Sequence, residues 1–171
     1  MSENITINLE GLTEEEREQL LGLVEKAKRA EKVWKPKCGE WYWYISDNGI
    51  LHRSVWHGDY VDEARYSIGN CFRTEEDAEY TLGKYKVKIE LQRFADTHND
   101  PDKLEWNKTN GHYEIVYNYR LGRLDFSELR SCSSTDAIYF TSEELAKKAV
   151  ETVGRERILK YMFSIDCEED D

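Results

Sequence analysis

Apolar and polar positions alternate along the chain in two rhythms. Between Thr13 and Glu31, the residues Leu20, Leu21, Leu23, Val24 and Ala27 fall on one stripe with charge opposite, the pattern of an amphipathic helix. Thr13 with Glu16 three residues later predicts a capping box at its start. Ala78, Leu82, Tyr85 and Ile89 recur at steps of 4, 3 and 4, predicting a second helix from just after Thr74 to about Phe94. Ala146, Val150 and Val153 keep the same period and predict a third, from Thr141 or Ser142 to about Phe163.

Strand signals precede the second and third helices. Trp41-Tyr42-Trp43-Tyr44-Ile45 is a dense aromatic run, with Trp41, Trp43 and Ile45 on one face and Tyr42 and Tyr44 on the other. Asp47-Asn48-Gly49 joins it to Ile50–Trp56, and Asn-Gly between two such runs signals a hairpin. Tyr113, Ile115, Tyr117 and Tyr119 alternate with Glu114, Val116 and Asn118 before Gly122 turns the chain into Leu124 and Phe126. Asp96 to Gly111 has a loop composition.

The two halves repeat. Phe72 to Ala78 matches Phe140 to Ala146 at an offset of 68, and Gly39-Glu40-Trp41 matches Gly111-His112-Tyr113 at 72. The expected fold is α+β: two related ββ(β)α units with antiparallel sheet, plus an N-terminal amphipathic helix. The expected segments are 1–35 (strand and helix), 36–96 (first unit), 97–111 (linker), 112–165 (second unit) and 166–171 (acidic tail).

Composition narrows the class. The 171 residues suit one domain or two very small ones, and a mean hydropathy of −0.80 excludes a membrane protein. The first residues, Met1-Ser2-Glu3-Asn4, carry no basic and apolar stretch of the secretory kind. Cys38, Cys71, Cys132 and Cys167 lie 33, 61 and 35 residues apart, too far for the close pairs of zinc or redox motifs. Reduced thiols and a cytoplasmic protein are the expectation, with Cys71 and Cys132 buried and inert.

The net charge of −11 is concentrated. Residues 57–80 hold seven acids against Arg65 and Arg73, and residues 164–171 hold five acids and no base, while the rest is nearly neutral. Such runs complement helix dipoles or solvate a terminus. They also suit a basic protein groove of the kind that grips nucleic acid, whereas direct nucleic-acid binding is disfavoured. On that reading Asp59, Asp62, Glu63, Glu75, Glu76, Asp77 and Glu79 are the contact acids, and Tyr42, Tyr44 and Trp56 the aromatic anchors. Lys84, Lys86, Lys88 and Arg93 form a solvated helix surface unless they line a local basic face.

No P-loop, dinucleotide fingerprint, nucleophile elbow or zincin motif occurs, so no catalytic residue and no cofactor is assigned. His57, Asp59 and Asp62 are read as a polar loop rather than a metal site.

Lys32-Val33-Trp34-Lys35-Pro36, Glu40 to Ile45, Asp47-Asn48-Gly49, Trp56, Arg65-Tyr66, Gly69-Asn70-Cys71-Phe72 and Thr74 to Glu79 form a pattern over roughly Ile5 to Ala95. So does the helix start Asn8 to Thr13. This pattern resembles a group of small uncharacterised proteins encoded by phages and prophages of Firmicutes. The resemblance implies a phage-encoded, non-catalytic inhibitor of host defence in the bacterial host cell. By analogy this is an anti-CRISPR protein that blocks nucleic-acid access to an effector nuclease. The alternative is a nucleic-acid or nucleotide-binding module that stacks bases on its aromatics.

Overall fold

The computed structural model describes residues 12–31, 34–107, 109–133 and 136–166, with side chains of 24–31 excepted. Helix α1 (Glu14–Glu31) starts at the expected capping box. The Thr13 N–H donates to Glu16 Oε2 at 2.8 Å, and the Glu16 N–H donates to Thr13 Oγ1 at 3.3 Å. Of the expected stripe, Leu21 and Leu23 are exposed, and Val24 and Ala27 lie outside the described side chains.

The first unit opens with β1 (Trp41–Ile45) and β2 (Leu51–Val55), antiparallel, with Tyr42 opposite Ser54 and Trp43 opposite Arg53. Ser46 N–H donates to Ile50 O at 2.9 Å and closes the turn, where Gly49 (φ +72°) alone is left-handed and Asn48 is not. An unforeseen helix, α2 (Tyr60–Ser67), follows, capped by Asp59, which accepts from Val61 N–H and Asp62 N–H. The chain then returns beside the hairpin, and Phe72 and Trp43 exchange two backbone hydrogen bonds of 2.8 and 2.9 Å. Thr74 caps α3 (Glu75–His98), which runs past the expected end at Phe94.

After a 3₁₀ turn at Pro101–Lys103, the second unit repeats the plan. Strands β3 (His112–Asn118) and β4 (Arg123–Leu129) form the hairpin, and Phe140 and Tyr113 exchange two bonds of 2.8 Å. Ser142 caps α4 (Glu143–Val153). The third helix is not continuous as expected: Gly154 (φ +101°) ends α4 and begins α5 (Arg155–Phe163).

The fold is therefore α+β, with five helices and two antiparallel two-stranded sheets among the described residues. The two return segments supply the third strand of each unit as a single bridge. The bridges also correct the repeat's register. Phe72 and Phe140 differ by 68, but Trp43 and Tyr113 differ by 70, so the match at 72 lies two residues too far. An even slip preserves which face each side chain occupies. The structural equivalents are Tyr42 with His112, Ile45 with Ile115, and Asn70 with Ile138.

An apolar core cluster lies under the second unit. Its members include Val87, Leu91, Phe94 and Ala95 of α3, Phe140, Val150 of α4 and Ile158 of α5. Helix α3 thus begins in the first unit and ends in the core of the second. Arg157 holds it to α5 through two hydrogen bonds of 2.7 and 2.8 Å to Glu90. Among the described residues, no helix is long and apolar enough to cross a membrane.

Candidate functional site

The face of β1 carrying Tyr42 and Tyr44 lies under α2. Tyr42 is fully buried, donates its hydroxyl to Asp62 Oδ1 at 2.7 Å and accepts from Arg65 at 2.8 Å. Asp62, 3 % exposed, also accepts from the N–H groups of His57 (2.6 Å) and Gly58 (3.0 Å). Burial pushes the Asp62 carboxyl up, but hydrogen bonds from Tyr42 and from backbone N–H groups outweigh it and hold the carboxyl below its usual range. Burial and the bond to Asp62 push the Tyr42 hydroxyl the other way, up.

Rings and cations close the rest of this face. Trp56, also buried, meets Tyr42 edge-on at 5.8 Å. The Arg65 guanidinium lies 3.6 Å from the half-buried Tyr44 ring, which stacks on His52. Lys35 sits over Trp56 and Tyr66 and reaches both oxygens of Glu63 at 2.8 Å.

These positions correct half of the expected interface. Tyr42, Trp56 and Asp62 are interior groups, because α2 is a helix that folds back over the hairpin rather than an open acidic stretch. They cannot anchor a partner. Asp59 is a helix cap and Glu63 is paired with Lys35. The set His57, Asp59 and Asp62 directs its carboxylates at backbone N–H groups.

The remaining acids gather elsewhere. Glu75, Glu76, Asp77 and Glu79 lie exposed on the first turns of α3, where the helix dipole favours negative charge. Glu76, Asp77 and Glu79 line an open groove of about 480 Å³ against the end of α5, together with Tyr80, Lys160, Tyr161, Ser164 and Asp166. Among the described lining residues, four carboxylates thus face one ammonium. The sequence's two acidic clusters meet here, through Glu76 to Glu79 of one and Asp166 of the other. Glu168, Glu169, Asp170 and Asp171 lie outside the described residues.

The groove floor is held by Tyr80, which donates to Lys160 O at 3.1 Å, shares a 2.7 Å hydrogen bond with Ser164 Oγ, and packs on Tyr161 at 5.7 Å. Gly83 makes this approach possible, since a methyl group there would overlap the edge of the Tyr161 ring. Tyr80, Lys160, Tyr161 and Ser164 were not expected at a site. A glycine in the middle of α3, unfavourable for a helix by roughly 1 kcal/mol, was the available signal of a close neighbour.

Elsewhere, Cys71 is half-buried and its thiol is pushed up to about 11 by burial, the inert state expected, whereas Cys38 and Cys132 are exposed. Cys167 lies outside the described residues. Lys88 pairs with Asp136 at 3.5 Å. Among the described residues, no group of three His, Cys, Asp or Glu side chains is placed to hold a metal ion. Set against family models, curated proteins and solved structures, the chain finds no match in any of the three.

Proposed function

We propose that the chain is a non-catalytic binding protein whose groove between α3 and α5 docks a basic segment of a nucleic-acid-handling protein. It acts as a phage-encoded inhibitor of host defence in the host cytoplasm. A CRISPR effector nuclease, whose nucleic-acid channel is lined by lysine and arginine, is the partner class this chemistry suits. The observation that carries the reading is the concentration of Glu76, Asp77, Glu79 and Asp166 around one open groove in which Lys160 is the one base among the described lining residues. The resemblance to phage proteins supports the host-defence part.

Each exposed ion pair contributes only about 0.2–1 kcal/mol, so docking needs several together and is steeply salt-dependent. Triple reversal E76K/D77K/E79K is expected to weaken binding to a purified guide-free effector nuclease about 10- to 100-fold at low salt. It also removes dipole-favoured charge from α3, so the neutral variant E76Q/D77N/E79Q, with an intermediate loss, serves as the folding-safe companion. Reversal of the exposed Glu151 and Glu156 should leave affinity within about twofold. Unchanged binding in both groove variants would remove the groove from the interface. A gel shift of bare DNA or RNA by the chain, with no effector binding, would instead establish the nucleic-acid module.

A further inference from the structure

The two units differ at the free edge of their first strands. In the first, Asn70 closes that edge beyond the Trp43–Phe72 bridge: its Oδ1 accepts from Ile45 N–H at 2.8 Å and its Nδ2 donates to Ile45 O at 2.7 Å. The side-chain amide behaves as one more strand residue. In the second unit, Tyr113 spends its N–H and C=O on Phe140. Antiparallel alternation therefore aims the backbone groups of Ile115 and Tyr117 at the same edge. The residue equivalent to Asn70 is Ile138, whose side chain can neither donate nor accept. Among the described residues no hydrogen bond closes this edge at Ile115 or Tyr117.

Where β3 and the 136–138 segment part, they leave an apolar cavity of about 130 Å³, lined by Leu91, Ile115, Ile138, Ile158, Met162 and Phe163. An engineered cavity of about 150 Å³ with such a lining accepts benzene. Its rim carries Glu114 and Asp136. Asp136 is 83 % exposed and only loosely paired with Lys88.

From this we infer that the β3 edge accepts an extended peptide of a second protein as an added strand. One side chain of leucine or phenylalanine size fills the cavity, and lysine or arginine neighbours meet Glu114 and Asp136. Strand addition supplies main-chain hydrogen bonds, while the pocket reads alternate side chains. Glu114 points to the opposite face of β3 from Ile115, so the residues flanking the inserted apolar one are those placed to reach it. Charge selects this occupant over two others. Residues 1–11 of the chain carry Glu3 and Glu10 and no base. A second copy paired edge to edge would bring its own Glu114 to the same carboxylates. The site does not depend on the groove at α3 and α5.

The test uses the full ¹⁵N-labelled chain and acetyl-Thr-Lys-Leu-Lys-Thr-amide. Expected are saturable shifts of the Ile115 and Tyr117 amides and at least tenfold slower hydrogen exchange at Ile115. N-methylation of the peptide's leucine, or aspartate in its place, should weaken binding at least tenfold. E114K/D136K should lose the basic peptide by a similar factor and gain one with glutamates for lysines. I138N, which installs the amide of the first unit, should protect Ile115 without peptide and abolish binding; the charge reversal stands if that core variant fails to fold. No saturable change at these amides at millimolar peptide, or equal binding of the N-methyl peptide, would overturn the inference. So would an Ile115 amide already protected in the free chain: independence of chain concentration would place the chain's own segment on the edge, and dependence a second copy.

Discussion

The two units share a hairpin, a bridging return segment and a helix, yet they handle interior polar groups in opposite ways. In the first, every polar group drawn inside by Tyr42 is answered: its hydroxyl by Asp62 and Arg65, and Asp62 by Tyr42 and two backbone N–H groups. In the second, the position equivalent to Tyr42 is His112, 2 % exposed. Its Nε2 lies 3.3 Å from Leu104 O, and its Nδ1 has no hydrogen-bond partner among the described residues. Trp106 covers the imidazole by stacking, with ring centroids 3.9 Å apart. The difference comes from α2, which supplies Asp62 and Arg65 and has no counterpart among the described residues between β4 and Phe140. The second hairpin needs less cover, because Glu114, Asp125 and Ser127 make its outer face polar. One connecting helix thus converts a half-open hairpin into one with both faces packed.

The sharpest way to break this contrast is at the two equivalent positions. D62N keeps the shape but removes the charge that Tyr42, Arg65 and two N–H groups were arranged around. Asp62 Oδ2 accepts from both the His57 and Gly58 N–H groups. Hydrogen bonds to a charged acceptor are worth about 1.5–3 kcal/mol each, so the loss is about 3–6 kcal/mol, a fall in Tm of roughly 6–24 °C for a chain of this size. H112F, which removes a ring nitrogen with no partner and one long hydrogen bond, should change stability by only about 1 kcal/mol. Thermal melts of the two variants compare them directly. Equal losses would refute the asymmetry. The same carboxylate sets the acid limb. With its folded-state pKa depressed, Asp62 contributes stability that is present above the unfolded value of about 4. That contribution is lost as pH falls through the lower folded value. D62N should therefore flatten the loss of stability below about pH 4, with the part due to Glu90, also depressed by Arg157, remaining.

The strand edges give the next largest contrast. N70L removes both bonds to Ile45 and leaves its N–H and C=O unanswered in a half-buried place. The expected cost is about 2–3 kcal/mol. Hydrogen exchange reads the same event locally: the Ile45 amide, expected to be slow while bonded to Asn70, should approach the rate of Ile115 in N70L. If the two amides already exchange alike, the amide clamp contributes nothing.

What was legible in the sequence was local. Thr13 with Glu16, Thr74 and Ser142 mark helix starts through side chains that accept from N–H groups three residues on. Tyr113, Ile115, Tyr117 and Gly122 mark a hairpin through alternation and turn chemistry. Asp62 was misread because a carboxylate among acids looks exposed, and only Tyr42, twenty residues earlier, makes it interior. Helix α2 escaped because eight residues carry too little periodicity, although Asp59 with Asp62 and Glu63 beyond it is a helix-start signature. Gly154 lay within a credible helical period, and its positive φ is a property of the packed pair α4 and α5. The groove unites Glu76 with Asp166, and no pattern along the chain reports a meeting between residues so far apart.

Gly83 of α3 lies directly against the Tyr161 ring of α5, and its substitution has a small net effect. G83A carries two opposed contributions. Alanine favours the helix by roughly 1 kcal/mol over glycine, while its methyl group, overlapping the edge of the Tyr161 ring, forces displacement at about 1–3 kcal/mol. The net expectation is a loss of about 1 kcal/mol, with α5 and the groove wall pushed away from α3. Removing the ring decides between the contributions. In a Y161A background the overpacking vanishes and the helix preference remains, so G83A should become stabilising by a few tenths to 1 kcal/mol. A cost that persists without the ring would mean that the glycine serves α3 itself, and that the approach of the two helices has another cause.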